Sequence, residues 1–107
     1  MKKNELSQLN FKDFLPFCYE DLEPHLIAEL NRLREELIEL PEGSTEEIIL
    51  SKFEESVNKL NDIDEDENIE STIETEEREG LCDALYKMGD IVGLDADTDF
   101  VDNWREW

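Results

Sequence analysis

Residues 21–40 read DLEPHLIAELNRLREELIEL, and within them Leu22, Leu26, Leu30, Leu33, Leu37 and Leu40 follow one another at steps of 4, 4, 3, 4 and 3. Steps of three and four keep side chains on one face of a helix, because an α-helix completes a turn in about 3.6 residues. Charged side chains fill most of the remaining positions, so the segment predicts an amphipathic helix with a leucine stripe turned to a core. Asp21 stands where a helix cap belongs, and Pro24 falls in the first turn, where its missing N–H costs nothing. Leu40-Pro41-Glu42-Gly43 ends the helix.

The helical period recurs on both sides. Asp13-Phe14-Leu15-Pro16 repeats the D-x-x-P of Asp21-Leu22-Glu23-Pro24, which predicts a short helix over 14–20. A turn or helix is expected within 5–12. Downstream, Ser44-Thr45-Glu46-Glu47 fits a capping box, in which hydroxyl and carboxylate satisfy each other's backbone donors. The helix it opens, over 45–61, carries Ile49, Phe53, Val57 and Leu60 on one stripe with Ile48 beside it. Another helix is expected over 75–92 from Leu81, Leu85, Met88 and Val92, with Glu76, Glu77 and Glu79 at the favourable end of its dipole and Gly93 past its end. The tail holds Phe100, Val101, Trp104 and Trp107, enough for a last helical turn or two. No stretch alternates with the period of two that a half-buried strand needs. The expected fold is all-α: a single domain over 1–107, an irregular bundle of four to five helices with an acidic interhelical loop over 62–74.

Charge narrows the function. The chain has 107 residues, 31 acidic and 10 basic, for a net charge of −21. Residues 1–53 carry −6 of this and residues 54–107 carry −15. Direct nucleic-acid binding needs a basic face, and none can be built here. Docking on anionic membranes fails for the same reason. No apolar run approaches the ~20 residues of a membrane span, and the opening MKKNELSQLNF lacks the apolar centre of a secretory signal. A cytoplasmic protein is expected. Catalysis is poorly supplied: His25 is the one histidine, and Cys18 and Cys82 lie in the apolar stretches FLPFCYE and GLCDALY, where buried thiols are common. No catalytic residue, cofactor, metal or disulfide is expected, and the chain is not expected to be an enzyme.

Three constellations remain. Asp62-x-Asp64-x-Asp66-x-Asn68-x-Glu70 looks like the start of an EF-hand calcium loop, with Ile69 at its apolar eighth position. The sharp turn at position six is normally made by Gly but is Glu67 here, and the bidentate Glu of position twelve is replaced by Ile73. The second is the acidic block itself, which holds ten acids over 62–79 against the one base Arg78. These are Asp62, Asp64, Glu65, Asp66, Glu67, Glu70, Glu74, Glu76, Glu77 and Glu79. The plain reading is a solvated charge run. Against it stands the cost of self-repulsion, and a net charge of magnitude about 2–8 already keeps a small domain soluble. Spread over a helix these acids would recur every ~2.7 Å, and over an extended chain every ~6 Å. Those spacings bracket the ~3.4 Å between phosphates of a nucleic-acid strand. Such a block suits the basic cleft of a nuclease, with Asp95, Asp97, Asp99 and Asp102 following it. The third is Trp104-Arg105-Glu106-Trp107. Trp104 reads as a clamp on the bundle, and Trp107 as either a clamp or an interface anchor.

The stretch Ile73-Glu74-Thr75-Glu76-Glu77-Arg78-Glu79 through Leu81-Cys82, the later Gly93-Leu94-Asp95 and the closing WREW resemble a group of small acidic bacterial proteins. This group comprises immunity proteins of contact-dependent growth inhibition and related polymorphic-toxin systems. The motifs cover residues 73–107, and the earlier residues share only helical character. The resemblance implies an inhibitor that binds a cognate toxin domain, often an RNase or DNase, and blocks its active site or substrate surface; a monomer is expected for the free protein. It carries over no catalytic residue. Two other expectations stand beside it: an acidic nucleic-acid mimic that binds a host DNA- or RNA-binding protein, and a weak calcium-responsive helical protein.

Overall fold

The computed structural model describes residues 2–16, 18–41, 43–94 and 100–107. It contains four α-helices and no strand among those residues: α1 (Lys2–Ser7), α2 (Glu23–Glu39), α3 (Glu46–Glu65) and α4 (Thr75–Ile91), with a 3-10 helix over Phe11–Phe14. The architecture is an all-α irregular bundle, as the periodicity requires. Its radius of gyration, 13.3 Å, is that of about 100 residues folded as one unit.

α2 and α3 form an antiparallel hairpin at the centre. Leu22, Leu26, Leu30 and Leu33 are fully buried and Leu37 nearly so, facing Phe53, Val57 and Leu60 of α3 and Leu81, Ala84, Leu85 and Met88 of α4. Burying each such leucine stabilises the fold by ~1.5–3 kcal/mol relative to leaving it in water. A polar seam runs along the hairpin. The nearly buried Glu29 accepts Arg32 Nε and Nη2 at 2.9 and 2.6 Å and Ser56 Oγ at 2.8 Å. Arg32 also pairs with Glu36, and Lys52 reaches Glu36 at 3.6 Å. The pairings 29 with 56 and 36 with 52 fix the antiparallel register.

The ends of the elements differ from expectation in ways that have local causes. The turn or helix expected within 5–12 is the end of α1, which closes at Ser7, followed by the start of the 3-10 helix at Phe11. Among the described residues of 15–20 no helix forms. Leu15 precedes Pro16 and is pushed out of the helical region, to φ −126° and ψ 53°, which closes the 3-10 helix at Phe14. Asn10, not a D-x-x-P aspartate, caps that element by accepting the Lys12 N–H. Asp21 does not cap α2 either; Leu22 holds that place and offers no side-chain bond. Thr45 rather than Ser44 caps α3, accepting Ile48 N–H at 3.3 Å, while Ser44 donates to the Pro41 carbonyl. α3 then runs on to Glu65, four residues past the expected 61, so the connecting segment is 66–74.

α4 ends as its sequence predicts. Leu94 N–H reaches the Gly89 carbonyl and Gly93 N–H the Asp90 carbonyl, the paired bonds of a Schellman cap, with Gly93 at φ 91°. Its middle is pressed against the 3-10 helix: a Cβ on Gly80 would lie 2.0 Å from the Phe14 carbonyl oxygen. The tail wedges between α3 and α4. Phe100 sits edge-on to Phe53 of α3 at 5.2 Å and to Tyr86 of α4 at 5.0 Å. Asn61 clamps the wedge, donating to the Trp104 carbonyl and accepting the Glu106 N–H, each at 3.0 Å.

Candidate functional site

The acidic block folds as the last turn of α3, a strap over 66–74, and the first turn of α4. The apolar period breaks here, and short side-chain bonds replace it. Asp64 Oδ1 accepts Ile73 N–H at 2.7 Å, and Asp66 Oδ1 accepts Asn68 N–H at 2.9 Å, a turn closed by an aspartate on its own backbone. Ile69 and Ile73 are sunk into the core at 8% exposure each. At the middle of the strap, Ser71 donates its N–H and its hydroxyl to the two carboxylate oxygens of Asp21, at 2.9 and 2.7 Å. Those two bonds hold the Asp21 carboxyl below its ordinary range. Glu74 and Glu77 form a reciprocal capping box that starts α4.

The expected site residues therefore divide. Asp62, Glu65, Asp66, Glu67, Glu70, Glu74, Glu76 and Glu79 are exposed. Among the described residues none of them belongs to an ion pair; the pairs gather around Arg32 and Lys52 and at Arg105 with Asp102. Asp64 is half-buried on its backbone bond, and Glu77 is buried at 2% exposure inside the cap, so neither contributes to an outer face. Asp102 is exposed but bonded to Arg105 at 2.6 Å. Trp107 packs in the core at 8% exposure, with the Arg105 guanidinium 5.6 Å from its ring, and is not presented as an anchor. Trp104 is half-buried against Phe100, in the clamp position. Asp95, Asp97 and Asp99 lie outside the described residues.

Asp21 and Ser71 were legible as residues but not as a pair. They stand 50 positions apart, and no periodicity links them. The exposed Tyr19, at 51%, likewise carries no signal in the sequence; its carbonyl accepts the N–H groups of Leu22 and Glu23 in the turn that presents Asp21.

Burial, reinforced by the carboxylates of Glu77, Glu23 and Asp21, pushes the Cys18 thiol up to about 11, which disfavours the thiolate a nucleophile needs. Burial also raises Cys82. His25 is exposed. Among the described residues no group of three or more His, Cys, Asp or Glu is arranged to hold a metal ion. In the EF-hand-like run, Asp64 and Asp66 each give an oxygen to a backbone amide. An open groove between α1 and α4 is lined by Glu5, Gln8, Leu9, Lys87, Asp90 and Ile91, away from the strap. No helix among the described residues is long and apolar enough to cross a membrane.

The chain belongs to a family defined by a domain of unknown function, DUF4844, whose pattern matches residues 14–106. No curated protein and no solved structure matches it.

Proposed function

We propose that this DUF4844 chain is a cytoplasmic binding protein of the immunity type, which neutralises a cognate toxin domain with a basic substrate surface. The observation that supports this reading is the exposed carboxylate ridge. Eight acids of 62–79 face solvent along the end of α3, the strap and the start of α4, with no ion-pair partner among the described residues. Such an arrangement costs the free protein self-repulsion, and a cationic partner relieves it. A nuclease cleft lined by Lys and Arg to hold phosphates is a partner of the right charge. The inhibitor needs no catalytic group, cofactor or metal, acts as a monomer, and touches the enzyme rather than the nucleic acid. Opposed charge of this density steers encounter, with association at about 10⁸–10⁹ M⁻¹s⁻¹ at low salt.

The test begins with the reading frame adjacent to the gene. Its product's toxin domain is purified and its nuclease activity titrated with this protein. Stoichiometric inhibition that weakens with added salt is expected, as is slower association when Glu65, Glu67 and Glu70 are changed together to Gln. A toxin domain that stays active under saturating protein overturns the inhibitor reading. Capture of a host nucleic-acid-binding protein instead, blocked by the same triple change, would assign the ridge to mimicry.

A further inference from the structure

We propose that Asp21 and Ser71 form a latch that holds residues 66–74 against the bundle as a binding strap ordered before any partner arrives. The strap is secured near its ends by other means: Asp66 on Asn68, Asp64 on Ile73, and the buried Ile69 and Ile73. Between the two isoleucines, Glu70 and Thr72 are exposed and Ser71 is half-buried, so no large apolar side chain anchors that middle. The latch supplies the hold, with both oxygens of one carboxylate taken by the main chain and the side chain of a single serine. Asp21 is free for this because α2 starts without its help. The turn in which Tyr19 accepts the Leu22 and Glu23 N–H groups fixes the aspartate's backbone at the point of contact.

The role in binding rests on the function proposed above. A loop ordered beforehand loses less conformational entropy on docking, and that difference falls mainly on dissociation. The latch itself is a property of the free protein and is tested there. Amide hydrogen exchange is measured at neutral pH on the full chain, on Asp21→Ala, on Ser71→Ala, and on Glu20→Ala, which removes the same charge one residue away. In Asp21→Ala the amides of 69–73 are expected to exchange about tenfold faster or more, while those of Leu30 and Leu33 keep their protection. Ser71→Ala, which keeps the main-chain bond, gives a smaller rise, and Glu20→Ala gives none. Unchanged exchange in the strap of Asp21→Ala overturns the latch, and so does a rise spread evenly over the hairpin.

A second arm uses the toxin domain from the adjacent reading frame. Faster dissociation for Asp21→Ala than for Glu20→Ala, at similar association rates, supports the preformed strap. Wild-type dissociation from a loosened strap defeats the binding role. Failure of the unmodified protein to bind the toxin domain overturns the inhibitor reading, and the exchange measurements still decide the latch.

Discussion

The α2–α3 hairpin and the strap over 66–74 both use carboxylates to fix the chain, and they use them in opposite surroundings. In the hairpin, Glu29 is nearly buried and takes donors from Arg32 and Ser56 beneath a leucine stripe. In the strap, Asp21 takes two donors from Ser71 in open solvent, over a segment with two buried isoleucines. Hydrophobic area carries the first, so its order is lost only with the whole fold. The second depends on hydrogen bonds in open water, where competition with solvent leaves each a small net gain. Segments of that kind open locally and at low cost. The acidic face thus stands on a segment with fewer buried apolar side chains than the hairpin, and its order leans on the latch.

The sharpest way to break this comparison is to cut apolar side chains from both regions. Phe53→Ala removes a fully buried ring from α3 and its edge-on contact with Phe100, and is expected to cost about 3–5 kcal/mol. Ile69→Ala in the strap will cost less, because the lightly secured segment can collapse around the smaller side chain. Urea unfolding of both variants checks this. Equal losses would show that the strap belongs to the same cooperative unit as the hairpin.

The hairpin was legible because one physical signal, a helical period of apolar residues, governs it from Leu22 to Leu37. The wedge was legible in part: Phe100, Val101 and Trp104 read as packing residues, whereas Trp107 stayed ambiguous because aromatic residues suit cores and interfaces alike. The strap was not legible as structure. Its acids read as one charge run, yet Asp64, Asp66 and Glu77 spend their oxygens on backbone amides. Asp21 misled for a related reason. An aspartate before a helix is most often its cap, and only the folded chain shows that its partner is Ser71. Pro16 misled because Leu15 before it is pushed out of the helical region and closes the 3-10 helix, whereas Glu23 before Pro24 is itself helical and starts α2.

The next prediction concerns the polar seam. Arg32→Met leaves Glu29 buried with Ser56 as its remaining donor, and is expected to cost about 1–3 kcal/mol. Adding Glu29→Gln will recover part of that, since the uncompensated charge is then gone. Denaturation midpoints of the two single variants and the double variant measure the coupling. A strictly additive cycle would show that the seam is ornamental and that leucines alone fix the register.

Cys18, half-buried against the core in the segment before α2, gives a smaller effect. Its thiol is held neutral in the folded state, pushed up to about 11 from an ordinary 9.0. A folded pKa above the unfolded value gives stability that is complete below pH 9 and fades as pH rises toward 11. Thermal melts are therefore expected to drop between pH 8.5 and 10.5, and less so for Cys18→Ser. At pH 8 the folded thiol will react with iodoacetamide about 100-fold more slowly than a thiol of ordinary pKa. Rapid alkylation of the native protein would place Cys18 in a more open and less acidic setting than the structure gives it.

Asp21 should show the smallest effect on global stability and the clearest local one. Its folded pKa lies below the ordinary 3.8, because Ser71 donates two hydrogen bonds to the charged form. The sign follows from linkage: the unfolded chain takes up the proton first as pH falls, so the latch contributes fully above about pH 5 and loses its contribution as pH drops through the folded value. The group is fully exposed, so water and salt screen the interaction and the melting temperature will barely register its loss. Exchange in the strap will register it. Between pH 6 and pH 3, protection at 69–73, corrected for the intrinsic pH dependence of exchange, is expected to fall in the unmodified protein and to stay flat in Asp21→Ala. The hairpin amides should stay flat in both proteins. A fall of the same size in Asp21→Ala would show that the acid sensitivity of the strap does not come from the latch.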